Sequence, residues 1–357
     1  MRRKVAGVSV AEINGEGVRL RALRTGDLDD LASGYADPVT ERFLPQKPDV
    51  EGDDAWVIAD HATDRLLGGI ALQRAGRHAG LLFWIGPWAR HRGAATAAVR
   101  AVTGWAFDTG FTRLELLVQW ENSLAQRVAM AAGYQPEGVR RGAQPGSNDD
   151  LLPFARLPGD PPGPTPRLLP DLPGGELTDG VVCLRPLNAG DIDFYTELHA
   201  VQDVIDTSVP PERPTPAQIR RRCTSAEAHW LAGTRADLVI TDAATGAPTG
   251  TIGLFYQEPR TGQAMIGYSQ LPAWRGRGYA TRAAQLLSLW VFAETNVARL
   301  IAGTLPTNTG SQRVLEKAGF TREGYMRSRL PGGHGQRRDD VQFVLLPEDV
   351  LSRAADA

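Results

Sequence analysis

The stretch Trp274-Arg275-Gly276-Arg277-Gly278-Tyr279-Ala280 gathers two arginines and two glycines where a strand ending in Ile266-Gly267-Tyr268 gives way to a helix. Gly276 and Gly278 carry no Cβ that would hold a ligand away from the backbone. The amides of such a turn, and of the first helical turn behind it, point outward, and the helix dipole favours negative charge there. The chemistry on offer is the binding of a pyrophosphate, with Arg275 and Arg277 able to add charge-assisted bonds. Two common phosphate loops do not fit. The G-K-[S/T] ending is absent, and neither the three-glycine spacing nor a following ribose-binding acid is evident.

The same pattern occurs earlier in the chain, so the chemistry is duplicated. Arg90-His91-Arg92-Gly93-Ala94-Ala95-Thr96 mirrors Arg275 to Thr281. Asn122 to Tyr134 (NSLAQRVAMAAGY) mirrors Asn308 to Phe320 (NTGSQRVLEKAGF). Upstream, Val18-Arg19-Leu20-Arg21-Ala22-Leu23 before Gly26-Asp27 mirrors Val182-Cys183-Leu184-Arg185-Pro186-Leu187 before Gly190-Asp191. Each opening alternates like a half-buried strand and then meets an aspartate placed to cap a helix. Three matches in one order, at a period far too long for a solenoid, read as a duplicated domain. Between the copies, PGDPPGPTPRLLPDLPGG over Pro158–Gly175 reads as a linker. The expected division is residues 1–157, a linker at 158–175, and residues 176–357.

The elements that must position the second turn are readable. Leu238–Thr241 reads as a short strand. Thr249–Gln257 and Gln263–Gln270 flank a hairpin turn at Glu258-Pro259-Arg260-Thr261-Gly262. Ala283, Leu286, Leu287 and Trp290 recur at helical spacing within a helix from Tyr279 to Thr295. A strand over Arg299–Leu305, a helix over Ser311–Ala318 and a hairpin pairing Tyr325–Leu330 with Val341–Leu346 complete an α/β, or α+β, layered domain.

Composition narrows the setting. The chain has 357 residues, 42% hydrophobic and 22% charged, with a net charge of −2. Two domains is the natural reading of that length. The charge gives no pull towards nucleic acid or an anionic membrane surface, and no apolar run approaches a membrane span. The cysteines are Cys183 and Cys223, a sparse usage that suits a reducing compartment. The expected location is the cytoplasm. Basic residues are nearly all arginine, so each arginine needs a local argument before it is given a role.

R-x-x-G-x-A followed some 30 residues later by N-x-x-S-x-x-x-L-x-x-x-G-F resembles the GNAT acetyltransferase superfamily. The opening L-R-P-L-x-x-x-D and the I-G-Y before the turn look like its RimJ/RimL branch, which acetylates ribosomal-protein N termini. The resemblance covers both halves and implies two domains, each a mixed, mostly antiparallel sheet flanked by helices. It implies acetyl-CoA as co-substrate, with no metal. Pyrophosphate contacts would fall on Arg275, Gly276, Arg277, Gly278, Tyr279 and Ala280, and in the first half on Arg90, Arg92, Gly93 and Ala95. Ile266, Gly267, Tyr268 and Ser269 would line the pantetheine arm and thioester, and Asn308, matched by Asn122, would touch the cofactor. Capping is the plain alternative for Asn308 and Ser311.

The reaction implied is direct attack of a neutral amine on a thioester. It needs a base, held reactants, an oxyanion site made by strand amides and an acid for the leaving thiolate. Ser311 is the expected acid. Glu258 is the candidate base, with a solvated turn residue as its plain reading. Tyr268, His199 and His229 read as structural. The first half departs from the pattern: Ala125 replaces Ser311, Pro153 falls in the last strand at the cost of a ladder bond, and Pro45–Trp56 is far shorter than Val209–Trp230. The second half is therefore the expected catalyst. Its acceptor is read as a peptide or protein N terminus if the cleft is open and acidic. A closed pocket using Trp230, Phe255 or Tyr256 would point to a small amine instead, and a scaffold or acyl-CoA sensor is the third reading. A monomer with its two domains paired within the chain is expected.

Overall fold

The computed structural model describes residues 11–44, 54–147 and 149–350. Most of the shortened Pro45–Trp56 segment lies outside them. The chain divides into two compact units, Met1–Pro166 and Arg167–Ala357. The boundary falls inside the proline-rich stretch, whose two ends are packed rather than free. Thr165 N–H donates to Met130 O at 2.8 Å in the first unit. Leu169 and Leu172 are buried in the core of the second, where Trp230 Nε1 donates to Pro170 O at 2.8 Å.

The first unit comprises strands β1 (Ile13–Gly15), β2 (Val18–Arg21), β3 (Ala55–Asp60), β4 (Leu66–Ala75), β5 (His78–Ile85), β6 (Arg113–Gln119), β7 (Gln135–Pro136) and β8 (Leu151–Arg156). Its α-helices are α1 (Leu28–Tyr35), α2 (Pro38–Phe43), α3 (Ala94–Asp108) and α4 (Ser123–Ala131). The second unit comprises β9 (Leu177–Thr178), β10 (Val182–Pro186), β11 (Arg235–Asp242), β12 (Pro248–Glu258), β13 (Gln263–Gln270), β14 (Arg299–Thr304), β15 (Thr321–Pro331) and β16 (Arg337–Leu345). Its helices are α5 (Ile192–Leu198), α6 (Gln202–Thr207), α7 (Pro216–Thr224), α8 (Ala226–Leu231), α9 (Tyr279–Glu294) and α10 (Thr309–Ala318). The strand orders are β1-β2-β3-β4-β5-β6-β8-β7 and β9-β10-β11-β12-β13-β14-β16-β15. These are the same order twice. Every pairing is antiparallel except β5 with β6 and β13 with β14.

In the second unit the two sheet faces are built differently. Ala264 and Ile266 of β13, with Ala302 of β14 and Phe343 of β16, form one core with Ala283, Leu287, Trp290 and Val291 of α9, which recur at helical spacing. On the other face Val239 packs with Phe194 and Leu198 of α5 and Ile219 and Cys223 of α7. The arginine-rich segment before Trp230 forms two helices, α7 and α8. Thr215 and Gln218 form a reciprocal cap on α7, with Pro216 in its first turn.

Two local expectations need correction. Asp27 and Asp191 do not cap α1 and α5 through the side chain; each is instead one arm of a capping box on the short turn that leads into its helix. Each carboxylate also turns back to a strand arginine, Asp27 to Arg21 and Asp191 to Arg185, and accepts the N–H of Arg24 or Asn188. Pro153 does not cost a bond to β6. Glu137 N–H donates to Pro153 O at 2.9 Å, and the N and C=O of one residue face the same way across an antiparallel ladder. The missing N–H therefore faces the two-residue β7. Pro153→Val, a nearly volume-conserving swap, is expected to change stability by less than about 1.5 kcal/mol in urea unfolding. A gain of several kcal/mol would mean the ring had broken a ladder bond after all.

Candidate active site

In each unit the parallel pair opens into a gap. β13 pairs with β14 only through Gln263–Met265 and Arg299–Ile301, and β5 pairs with β6 only through His78–Gly80 and Arg113–Glu115. Beyond Met265 and Gly80 the strands separate. In the first unit the gap is a cavity of about 420 Å³ lined by Phe83, Ile85, Leu116, Val118 and Ala125 and reaching Gly93.

At the mouth of each gap lies the glycine turn. Gly276 and Gly278 adopt φ of 74° and 84°, a region costly for residues with a Cβ. An atom added at either Cα meets nothing within 4 Å. The first helical bond of α9 runs from Arg282 N–H to Gly278 O, so the amides before Arg282 have no acceptor within the helix. The first unit repeats the geometry, with His91 at φ 59° in the place of Gly276 and Gly93 at φ 79°. This concave set of amides fits a pyrophosphate.

The arginines divide unexpectedly. Arg275 donates to Gln270 O at 3.1 Å (Nε) and to Asp203 Oδ1 at 3.0 Å, so its side chain anchors α6 instead of facing a phosphate. Arg90 does the same for α2 through Asp37 and Thr40. Arg277 lies over the Trp274 ring and Arg92 is exposed, and both remain placed for an anion. Tyr279 is buried and its hydroxyl donates to Asp242, leaving only its amide for a ligand, while Ala280, like Ala95, adds its backbone in the first turn.

Inside the second gap Tyr268 and Ser311 meet. The two hydroxyl oxygens are 2.8 Å apart, and Tyr268 OH also donates to Ser311 O at 3.0 Å. Burial pushes the Tyr268 phenol up to about 12, against the lowering effect of Ser311. The phenol therefore keeps its proton at neutral pH. Asn308 Oδ1 accepts Ser311 N–H at 3.1 Å and Asn122 Oδ1 accepts Ala125 N–H at 3.1 Å, so both asparagines are helix caps. Asn308→Ala is expected to cost about 1 kcal/mol of stability. A loss of CoA affinity with unchanged thermal unfolding would instead make Asn308 a ligand contact.

The register identifies what the first unit lacks. Tyr268 lies opposite Ile252, and Phe83 lies opposite Ile70. Phe83 therefore stands where Tyr268 does, as Ala125 stands where Ser311 does, and both hydroxyls are gone together. The sequence carried this signal in the pair, but Tyr268 alone reads as core.

Glu258 is misplaced for a base. It pairs with Gln263 at the hairpin tip, six residues along β12 from the partner of Tyr268, or roughly 20 Å at strand rise. Its carboxylate accepts from Thr261 and Gln263. The aromatic trio does not converge either. Trp230 and Tyr256 are buried in the α9-side core, whereas Phe255 lies on the other face beneath Arg222.

That other face carries a charged cluster. Arg222 Nη2 donates to Asp237 Oδ1 at 2.6 Å, and Arg235 Nε is 2.7 Å from Asp237 Oδ2. Burial and then Arg222 lower His199. Burial followed by Arg235, Arg222 and Arg221 takes His229 down to about 4. Both imidazoles are neutral at pH 7. A cavity of about 270 Å³ opens beside Arg222, with Tyr195, His199 and Arg213 among its walls. Among the described residues no group of side chains is arranged to hold a metal ion, and no helix is long and apolar enough to cross a membrane.

The acetyltransferase (GNAT) domain model matches residues 18–135 and again 182–321. The probable N-acetyltransferase YjcK of Bacillus subtilis is 40% identical over 86 residues, 24% of this chain and 48% of its own length. The uncharacterized N-acetyltransferase YnaD of the same organism is 36% identical over 84 residues, 24% of this chain and 49% of its own. The chain thus spans about half the length of the curated relatives it matches. Among solved structures, a GNAT-family acetyltransferase from Bacillus anthracis is 24% identical with a TM-score of 0.44, covering 48% of this chain and 99% of its own. Mycobacterium smegmatis RimJ in complex with CoA-disulfide is 22% identical with a TM-score of 0.45, covering 51% and 93%. AAC(6')-Ib in complex with ribostamycin and coenzyme A is 20% identical with a TM-score of 0.42, covering 50% and 99%.

Proposed function

The chain belongs to the GNAT acetyltransferase family, and from that premise we propose that its second domain moves an acetyl group from acetyl-CoA to a primary amine, while the first serves as a CoA-binding or structural partner. The observation that carries this reading is the Tyr268–Ser311 hydroxyl pair in the gap of the second domain and its joint replacement by Phe83 and Ala125 in the first.

Bound acetyl-CoA supplies the activated acetyl group as a thioester. The amides of Gly276 to Ala280, with Arg277, would hold its pyrophosphate. The unpaired edge of β13 from Ile266 to Ser269 offers backbone donors to the arm and carbonyl. Ser311 and Tyr268 would offer the leaving thiolate its proton.

The acceptor we favour is a peptide or protein N terminus. A small-amine site built on Trp230, Phe255 and Tyr256 is disfavoured, because two of the three are core residues on the opposite face. The acidic cleft expected for such an acceptor is not found: the cavity beside Arg222 sets Arg213 and Arg222 against Glu212, so the peptide we favour is one carrying acidic groups beside its amine. A panel of α-amino peptides, with and without acidic residues, and ribostamycin, assayed with acetyl-CoA for released thiol, tests this. Turnover is expected with the acidic peptides. Turnover with the aminoglycoside alone would reverse the choice.

A further inference from the structure

The second domain has a row of glycines across its sheet that the first domain lacks. Asp237 lies opposite Gly253, and Gly253 opposite Gly267. Across the gap Gly303 lies opposite Gln342, next but one to Asp340. Side chains at these positions share one face of the sheet, the face away from α9. Gly267 and Gly303 are exposed, while the acids on either side are buried. A Cβ on Gly253 would stand 3.3 Å from Asp237 Oδ1, and one on Gly303 would stand 2.7 Å from Asp340 Oδ1. Two carboxylates thus lean over a glycine floor from opposite sides. They overlie β12 and β14, so they are about 10 Å or more apart at ordinary strand spacing.

The two acids differ in the charge that faces them. Asp237 has both Arg222 and Arg235 beside it, with Arg235 Nε 2.7 Å from an Oδ2 that receives no hydrogen bond. Asp340 is 0% exposed and receives Arg329 Nη1 on Oδ2 at 2.8 Å, while its Oδ1 has no hydrogen-bond partner. A buried carboxylate oxygen without a donor is costly. Arg329 from β15 is the charge that faces it, and the Thr304 N–H of β14 also favours its ionised form. Burial outweighs both and raises the carboxyl above its ordinary range.

The first domain serves as an internal control. The same registers put Ala55, Ala71 and Leu82 where Asp237, Gly253 and Gly267 stand, and Leu117 and Leu151 where Gly303 and Asp340 stand. Every polar group and every glycine of the row has gone from the domain that also lacks both hydroxyls.

We propose that the exposed Gly267 and Gly303 floor the acceptor site of the second domain, and that Asp340 is the base, its Oδ1 taking the acceptor's ammonium once the half-exposed Arg329 side chain moves off the carboxylate. The inference rests on the reading of that domain as an acetyltransferase. The ammonium gives one proton to Asp340, which later releases it to water. The freed amine nitrogen forms the C–N bond to the acetyl carbon and the C–S bond breaks. The sulfur takes a proton from the Tyr268–Ser311 pair, and that pair is restored by the second proton of the nitrogen. The glycine floor and the hydroxyl pair lie on opposite faces at the same level of the gap, so amine and thioester meet between β13 and β14.

The test uses the full-length chain with acetyl-CoA and the peptide panel, released thiol being measured across pH. Asp340→Asn is expected to lower kcat/KM by about 10²–10⁴-fold with CoA affinity unchanged in calorimetry. The acidic limb of the wild-type profile should disappear, replaced by a rise that continues to the amine's own pKa. The double variant Asp340→Asn/Arg329→Met, which leaves no unpaired charge, should stay equally slow. Undiminished kcat/KM in Asp340→Asn, or recovery in the double variant, would reduce Asp340 to a structural partner of Arg329 and overturn the proposal alone. Absence of thiol release by the wild type with every amine would overturn the acetyltransferase reading and this inference with it.

Discussion

Tyr268→Phe and Ser311→Ala are each expected to lower kcat by about 10²–10⁴-fold, the usual contribution of a positioned acid, with little change in CoA affinity. The two hydroxyls touch at 2.8 Å, so they act as one unit. The double variant should be hardly slower than the worse single one, because residues of one relay are strongly non-additive. It also rebuilds in the second domain what Phe83 and Ala125 make of the first. Single-turnover measurement of thiol release, where chemistry limits the rate, distinguishes this from a packing effect. Near-normal kcat in both single variants would leave Ser311 as part of a capped helix and Tyr268 as wall.

Gly278→Val should remove the pyrophosphate site. The left-handed backbone at φ 84° is strained for a β-branched residue by about 1–3 kcal/mol. The new side chain also projects into the open space that the turn's amides face. Together these should weaken CoA binding on the order of 10²-fold, about 2.7 kcal/mol. The first domain has its own turn, so the titration is cleanest in a Gly93→Val background, where the second turn alone is intact. Equal CoA affinity of folded Gly93→Val and Gly93→Val/Gly278→Val proteins would exclude the turn as the anchor.

Much of the architecture was legible because local rules agree with the tertiary answer. The β12–β13 hairpin, α9 and the strand after it follow from turn residues and helical spacing, and fall within a residue or two of Pro248–Glu258, Gln263–Gln270, Tyr279–Glu294 and Arg299–Thr304. The glycine turns were legible for the same reason, since positive φ narrows the choice of residue. Side-chain commitments were not. Arg275 is consumed by Asp203, 72 positions upstream, and no local pattern announces that. Tyr268 and Ser311 are 43 positions apart, and only the register of two strands brings Phe83 and Ala125 into the comparison. Glu258 looked usable because a hairpin tip near an active strand is close in sequence, whereas along a strand each residue adds about 3.3 Å. The acids at the glycine row were missed because a buried aspartate in a strand looks like any other until the sheet places it over a glycine.

Acetyl transfer to an accepted peptide by full-length Gly93→Val and Gly278→Val proteins, measured side by side, decides whether the second domain carries the transfer reaction. Gly278→Val should abolish transfer while Gly93→Val keeps much of it. Loss of transfer in Gly93→Val, with activity retained in Gly278→Val, would place the chemistry in the first domain instead.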